Sequence, residues 1–273
     1  MSTRGVACIV RGIGLLGPGF ADWTSGAALL RDPSRWQRTP TQVPPPQRLP
    51  ATERRRAGTV VKASIVVADQ ALAMAGADAA TVATVFTSST GDPLNCHQLC
   101  EALAAPERLV SPTKFTNSVH NAPAGYWHIA AASRAASTSL AAYDASFAAG
   151  LLEAAVQCSQ TGTPVLLVAC DVPYPEPLHA KRPVADTLAV ALLLAPADAG
   201  DTAASGRLLT VAMGDAQAEP TACGHAGLDG LRHTIPAARA LPLLQALAGD
   251  AATTVVLGGA PGSTLAVAIG AAP

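Results

Sequence analysis

The stretch from Ser137 to Ala169 constrains the fold more than any other part of this sequence. Ser137 to Ala142 reads as a strand, Ser146 to Gln160 as a long helix, and Val165 to Ala169 as a β-branched and Leu-rich strand. Two strands therefore flank one helix. The same rhythm precedes this unit, with helical spacing from Thr59 to Ala75, a strand from Thr81 to Ser88, and helices from Asn95 to Ala104 and from Pro123 to Ala132. Alternation of this kind implies a parallel sheet with helices packed on it.

The two ends of the chain extend this reading. Ala7 to Val10 is a short β-like run, followed by an expected glycine turn at Gly12-Ile13-Gly14 and a helix from Trp23 to Leu30. Between Thr39 and Pro50, five prolines remove amide donors and fix φ, so that segment is expected to be a surface loop. Thr187 to Leu194 and Leu208 to Met213 read as strands, Pro236 to Ala248 as a helix, and Thr253 to Leu257 with Thr264 to Ile269 as a hairpin around a Gly-rich turn. No internal repeat is evident, and a single domain over residues 1–273 is expected.

Composition narrows the function classes. With 49% hydrophobic, 14% charged and 4% aromatic residues, a chain of 273 residues can bury a large core built from closely packed Ala, Val and Leu. The 18 Lys and Arg nearly balance the 19 Asp and Glu, so there is no general attraction to nucleic acid or anionic lipid. The apolar run Leu188 to Ala195 is far below the roughly 20 residues that span a bilayer, which argues against membrane insertion. The start of the chain lacks a continuous secretion-signal core, because Arg11 interrupts its apolar stretch, and the expected location is the cytoplasm. The six cysteines, Cys8, Cys96, Cys100, Cys158, Cys170 and Cys223, are expected to be buried free thiols.

Several motifs carry possible chemistry. Gly12-Ile13-Gly14-Leu15-Leu16-Gly17 fits a dinucleotide fingerprint literally, yet Pro18 and Gly19 stand where its helix should begin, and no strand ending in an acidic residue follows at about 20 residues, where the sequence is Pro-rich. No cofactor is therefore expected. Cys96, His97 and Cys100 share one helix but do not make the four ligands that zinc takes, so no metal is expected. His120 and Asn121, just before a helix, could orient a substrate or partner, and a structural hydrogen-bonding role stands beside that reading. The hydrolase elbow Gly-x-Ser-x-Gly and the zinc-protease helix His-Glu-x-x-His are both absent. At Asp144-Ala145-Ser146 a strand passes into a helix, where a helix N-terminus would stabilise a nucleophile or oxyanion. Capping of that helix by Asp144 or Ser146 accounts for both residues without chemistry.

At this elbow the sequence resembles the β-ketoacyl synthases, and the likeness covers most of the first two hundred residues. Gly12 to Gly19 with Trp23 and Ala28-Leu29-Leu30 resembles their opening strand, turn and helix, a setting in which the glycine run has nothing to do with nucleotides. Ser111-Pro112, Phe115, Asn121, Ala124-Gly125 and Ile129 resemble the segment before the active-site elbow, and Ser137 to Ala141 the strand entering it. Anchoring on that strand puts the family's catalytic cysteine at Asp144; anchoring on Thr163 to Ala169 puts it at Ala145. Neither register supplies a cysteine, and Ser146 is the nearest hydroxyl, whereas holding an acyl chain as a thioester requires a thiolate. The family's two catalytic histidines have no matching motif, and His225 and His233 are poor candidates. Val256 to Gly262 with Thr264 to Val267 resembles the family's terminal Gly-rich hairpin.

The resemblance implies an α/β, thiolase-like layered fold with mixed, mostly parallel sheets. It also implies a ketosynthase-like half over residues 1–200 and a reduced C-terminal half over 201–273. The retained elbow with a lost nucleophile resembles the chain-length-factor subunits, in particular the short type of aryl-polyene clusters. Such a subunit pairs with a catalytic ketosynthase, meets an acyl carrier protein through the complex, and shapes the tunnel that limits chain length. Two competing readings are a stand-alone acyltransferase or hydrolase using Ser146 with His120 or another histidine as base, and a homodimer that binds acyl chains without chemistry.

Overall fold

The computed structural model describes residues 5–197 and 206–272. Its centre is one eight-stranded sheet in the order β3-β2-β4-β5-β1-β6-β8-β7. The strands are β1 (Val6–Leu16), β2 (Ala83–Thr87), β3 (Ser137–Leu140), β4 (Val165–Asp171), β5 (Leu188–Pro196), β6 (Arg207–Met213), β7 (Thr253–Gly258) and β8 (Thr264–Ile269). The helices are α1 (Trp23–Arg31), α2 (Ala51–Arg56), α3 (Thr59–Ala75), α4 (Pro93–Ala104), α5 (Pro112–Thr116), α6 (Ala122–Ala131), α7 (Ser146–Thr161), α8 (Ala226–Thr234) and α9 (Leu241–Ala248).

The sheet is mixed, but the expectation of mostly parallel pairing is corrected. Only β2 with β3 and β2 with β4 run parallel, while β4/β5, β5/β1, β1/β6, β6/β8 and β8/β7 are antiparallel. The reason lies in the connections. Helical crossovers join β2, β3 and β4, as parallel neighbours require, whereas β7 and β8 form a hairpin and β5 returns beside β4 in the opposite sense.

Three layers result, and the period-two alternation of the strands assigns each residue to one of two cores. Along β4, Val165, Leu167 and Ala169 join Phe147, Leu151 and Ala154 of α7. Leu166, Val168 and Cys170 face the opposite way, toward Val60, Ala63 and Val67 of α3. β5 divides likewise, with Val190 and Leu192 toward α7 and Ala189 and Ala191 toward α3.

The expected turn at Gly12 to Gly14 does not form, because β1 runs unbroken through it with a register shift between Val10 and Gly12. The glycines serve packing. A Cβ on Gly12 would lie 1.9 Å from the Ala71 carbonyl oxygen, and one on Gly14 would lie 2.0 Å from that of Val67. Backbone of β1 and backbone of α3 are in direct contact, which only Gly permits. The expected helix at Pro236 to Ala248 is a 3-10 segment over Pro236–Ala240 followed by α9. The short helices α2, α5 and α8 were not anticipated; α2 and α5 bury no residue and so carry no apolar stripe to read.

Candidate functional site

The site centres on the elbow between β3 and α7. After Leu140 the chain makes a 3-10 turn over Tyr143–Ala145 and enters α7 at Ser146. Tyr143 holds φ at 54°, a left-handed conformation that is costly for a bulky aromatic residue and persists only where the surroundings impose it. Ser146 supplies one of those restraints. Its hydroxyl donates to the Tyr143 carbonyl at 2.7 Å and accepts from the Ala142 amide at 3.0 Å, while the Thr87 hydroxyl donates to the Ser146 carbonyl at 2.9 Å. Neither Asp144 nor Ser146 is the cap expected of it, for Ala145 occupies the N-cap of α7 and makes no side-chain cap bond.

Asp144 points to a pair of arginines. Arg182 donates to Oδ1 at 2.7 Å and Arg239 to Oδ2 at 2.9 Å, so each carboxylate oxygen has its own guanidinium. Arg182 also lies 3.5 Å from the centroid of the Tyr143 ring and donates to the Ser89 hydroxyl at 3.3 Å. One cation thus closes over the strained residue and ties the elbow to the loop after β2. Around this clamp is a cavity of about 150 Å³ of mixed lining, with Asp144, Arg182, His233 and Arg239 beside Tyr143, Val184 and Pro236.

Below the clamp lies a buried carboxylate. Asp171, 2% exposed at the end of β4, accepts from the Ser89 amide at 2.8 Å and the Ser88 hydroxyl at 3.2 Å. Burial raises its pKa, and hydrogen bonds from Ser89, Ser88 and the backbone of Ala237 oppose that rise. Asp171 therefore holds the β2 loop and the Pro236–Ala240 segment, from which Ser89 and Arg239 reach the clamp.

The other side of the elbow is apolar. A cavity of about 160 Å³ is lined by Ala142, Ala145, Ala148, Ala149, Leu152 and Met213, together with the Gly-rich turn between β7 and β8. Small side chains on this face of α7 leave the space.

The structure places Asp144, Ala145 and Ser146 together, and gives His120 a partner other than these three. His120 Nε2 lies 3.1 Å from the Ser88 carbonyl, in a small recess with Val60, Ser64, Phe86 and Cys170, against the layer that contains α3. The hydrogen bonds of the Ser146 hydroxyl go to backbone, and none among the described residues goes to a histidine. Asn121 occupies the N-cap position of α6 without a side-chain cap bond. His225 packs edge-on against Trp36 at 5.8 Å, away from the elbow.

Thiol chemistry has no foothold at the elbow. Burial pushes the Cys158 thiol up to about 11 and those of Cys8 and Cys223 up to about 12, and it raises Cys170 as well. Near neutral pH these groups are protonated and inert. Cys96 and Cys100, expected to be buried, are exposed, because Leu99 is the residue of that helical turn that faces inward. With His97, which pairs with Glu101 at 3.3 Å, they do not form a cluster of three potential metal ligands among the described residues. Sequence reasoning did not find Arg182, Arg239 or Asp171. They are isolated residues 38, 95 and 27 positions from Asp144, and only the tertiary fold brings them together.

Residues 29–243 match the family model described as "Beta-ketoacyl synthase, N-terminal domain". No curated protein matches the chain in sequence. Among solved structures, a ketosynthase in complex with its chain length factor from Xenorhabdus doucetiae is similar, with a TM-score of 0.70, 23% identity, and coverage of 96% of this chain and 99% of that one. The ishigamide ketosynthase/chain length factor aligns with a TM-score of 0.71 and 14% identity over 98% of this chain and 100% of that one. A type II polyketide synthase acyl-carrier protein in complex with its hexaketide-bound ketosynthase gives a TM-score of 0.72 at 13% identity, over 98% and 99% of the two chains. At these identities the structural likeness speaks to the fold, which is that of the thiolase-like ketosynthases.

Proposed function

Because this chain belongs to the β-ketoacyl synthase family, we propose that it is a non-condensing subunit that pairs with a catalytic ketosynthase and shapes the tunnel for the growing acyl chain. The observation that carries this reading is the state of the elbow. The resemblance puts the thiolate of a condensing enzyme at Asp144 or Ala145; Asp144 has both oxygens bound to arginines, Ala145 carries no functional group, and the Ser146 hydroxyl is used up by backbone groups. A carboxylate so engaged is a poor nucleophile, and a serine without a base is no better. The same geometry weighs against the stand-alone serine acyltransferase or hydrolase, since His120 does not bond to Ser146.

In this role residues 1–200 form the ketosynthase-like half and 201–273 a shortened C-terminal half. The apolar cavity beside Ala145 and Ala149 would meet the acyl chain, an arrangement that suits fatty acid or polyketide assembly of the aryl-polyene type on an acyl carrier protein. The partner would join at β3. This strand is at the sheet edge, with one side unpaired among the described residues, and the helices beside it expose Ile129 on α6 and Val156 on α7. An open edge flanked by apolar side chains favours a two-fold related fold continuing the sheet. No helix among the described residues is long and apolar enough to cross a membrane.

Co-expression with a catalytic ketosynthase tests the pairing. A stable one-to-one complex in size-exclusion chromatography is expected. Separate elution of the two chains, with this one as a homodimer, would contradict it.

A further inference from the structure

A cavity of about 650 Å³, larger than those beside the elbow, lies between α2, the first turns of α3 and α4, and α5. Arg55, Arg56, Lys62 and Lys114 line it, against the single carboxylate of Asp92. That carboxylate is already in use, accepting the Asn95 amide at 3.0 Å as the cap of α4. Arg56 is 3.5 Å from Glu53, but the side chains of Arg55, Lys62 and Lys114 have no ion-pair partner among the described residues.

The concentration of charge is local. The chain as a whole carries 18 basic and 19 acidic residues, so four cations around one cleft do not follow from general basicity. Like charges brought together repel, and the arrangement is stabilised when an anion fills the space. The walls are also braced: the side-chain amide of Asn95 donates to the Lys114 carbonyl at 2.8 Å, and the side-chain amide of Asn117 donates to the Arg56 carbonyl at 3.1 Å. The Tyr126 hydroxyl in turn donates to Asn117 at 3.1 Å. Side chains thus fix the backbone around the cleft while leaving its cations available.

We propose that this cleft binds the diphosphate or similar polyanionic group of a small phosphorylated molecule. Several cations call for several negative charges, and guanidinium and ammonium groups bind phosphate oxygens by charge-assisted hydrogen bonds. Gln98, Ser111 and Thr113 on the lining add neutral hydrogen-bonding groups, and the volume leaves room for an organic body beyond the anion. Concavity favours a small molecule over the surface of an acidic protein.

Isothermal titration calorimetry with inorganic pyrophosphate and with adenosine 5′-diphosphate tests the site. Binding that weakens as salt is raised is expected, together with a loss of about tenfold or more in a variant carrying Arg55→Gln, Lys62→Gln and Lys114→Gln. Lys181→Gln, outside the cleft, should bind as the native chain does. Tighter binding of the nucleotide than of pyrophosphate would show that the organic body is also held; equal affinity would place recognition in the anion alone, and both outcomes uphold the site. If the triple variant melts earlier than the native chain, Lys114→Gln alone is compared, with a smaller loss expected. Absence of binding by the native chain, undiminished binding by the variants, or binding of polyglutamate but of neither phosphate probe would overturn the proposal.

Discussion

The two sides of the elbow have diverged in kind. On one, Asp144 is clamped by Arg182 and Arg239, with Asp171 bracing the loops from below, and polar groups that elsewhere would serve chemistry are bound to one another. On the other, Ala145, Ala148 and Ala149 keep an apolar space open. At the start of α7 the polar groups hold the turn, and the small side chains line the apolar cavity. The difference teaches that a turn can be held by an ion-pair network while the adjoining helix face leaves apolar space open.

Several changes would break or sharpen that contrast. The largest effect is expected from Gly150→Val, since α7 supports both sides and a Cβ at Gly150 would lie 2.8 Å from Thr87 Cγ2 and 2.9 Å from Leu167 Cδ1. Lifting the helix off the sheet should cost about 2–3 kcal/mol, read from urea unfolding, and should disturb clamp and cavity alike. Asp144→Ala affects the polar side alone. The Asp144 side chain is 39% exposed, so solvent screening holds the expected loss to about 1 kcal/mol, and a double-mutant cycle with Arg239→Ala should show the two residues to be coupled.

Asp171 gives the polar side a pH signature. Its folded-state pKa is raised above the ordinary value near 3.8, so the folded protein binds this proton more readily than the unfolded chain. The contribution to stability is present in acid and is lost as pH rises through the range between the unfolded and folded pKa values. Asp171→Asn should remove that component of the slope, measured as the pH dependence of the unfolding midpoint; an unchanged slope would mean that Asp171 does not titrate there. The smallest effect on stability belongs to the apolar side. Ala149→Phe, at a partly exposed position, should shift the melting midpoint little while shortening the product made by the assembled complex, as judged by mass spectrometry.

Much of the framework was legible in the sequence, because long periodic segments declare themselves. Thr59–Ala75 is a helix at the expected bounds, and Thr264–Ile269 a strand. The glycine run misled locally: Gly12 and Gly14 read as a turn, but their purpose is contact with α3 across the sheet, which depends on a helix some 55 residues away. The direction of the sheet was misread for a related reason, since helical alternation ends with β4 and the strands beyond it pair by other routes. At the site, the window Asp144 to Ser146 was legible as an elbow. Its partners were not, for a lone arginine carries no pattern that marks which carboxylate it will meet. Nor did the window itself reveal that the Ser146 hydroxyl faces back to Ala142 and Tyr143.

The central claim is that this elbow performs no chemistry. Its most direct test is product formation by the ketosynthase complex reconstituted with native chain, with Ser146→Ala, or with no second subunit. The Ser146→Ala complex should retain most of its activity, and the ketosynthase alone should lose it. Loss of turnover on Ser146→Ala in a complex that still assembles, or acyl transfer by this chain on its own, would contradict the claim.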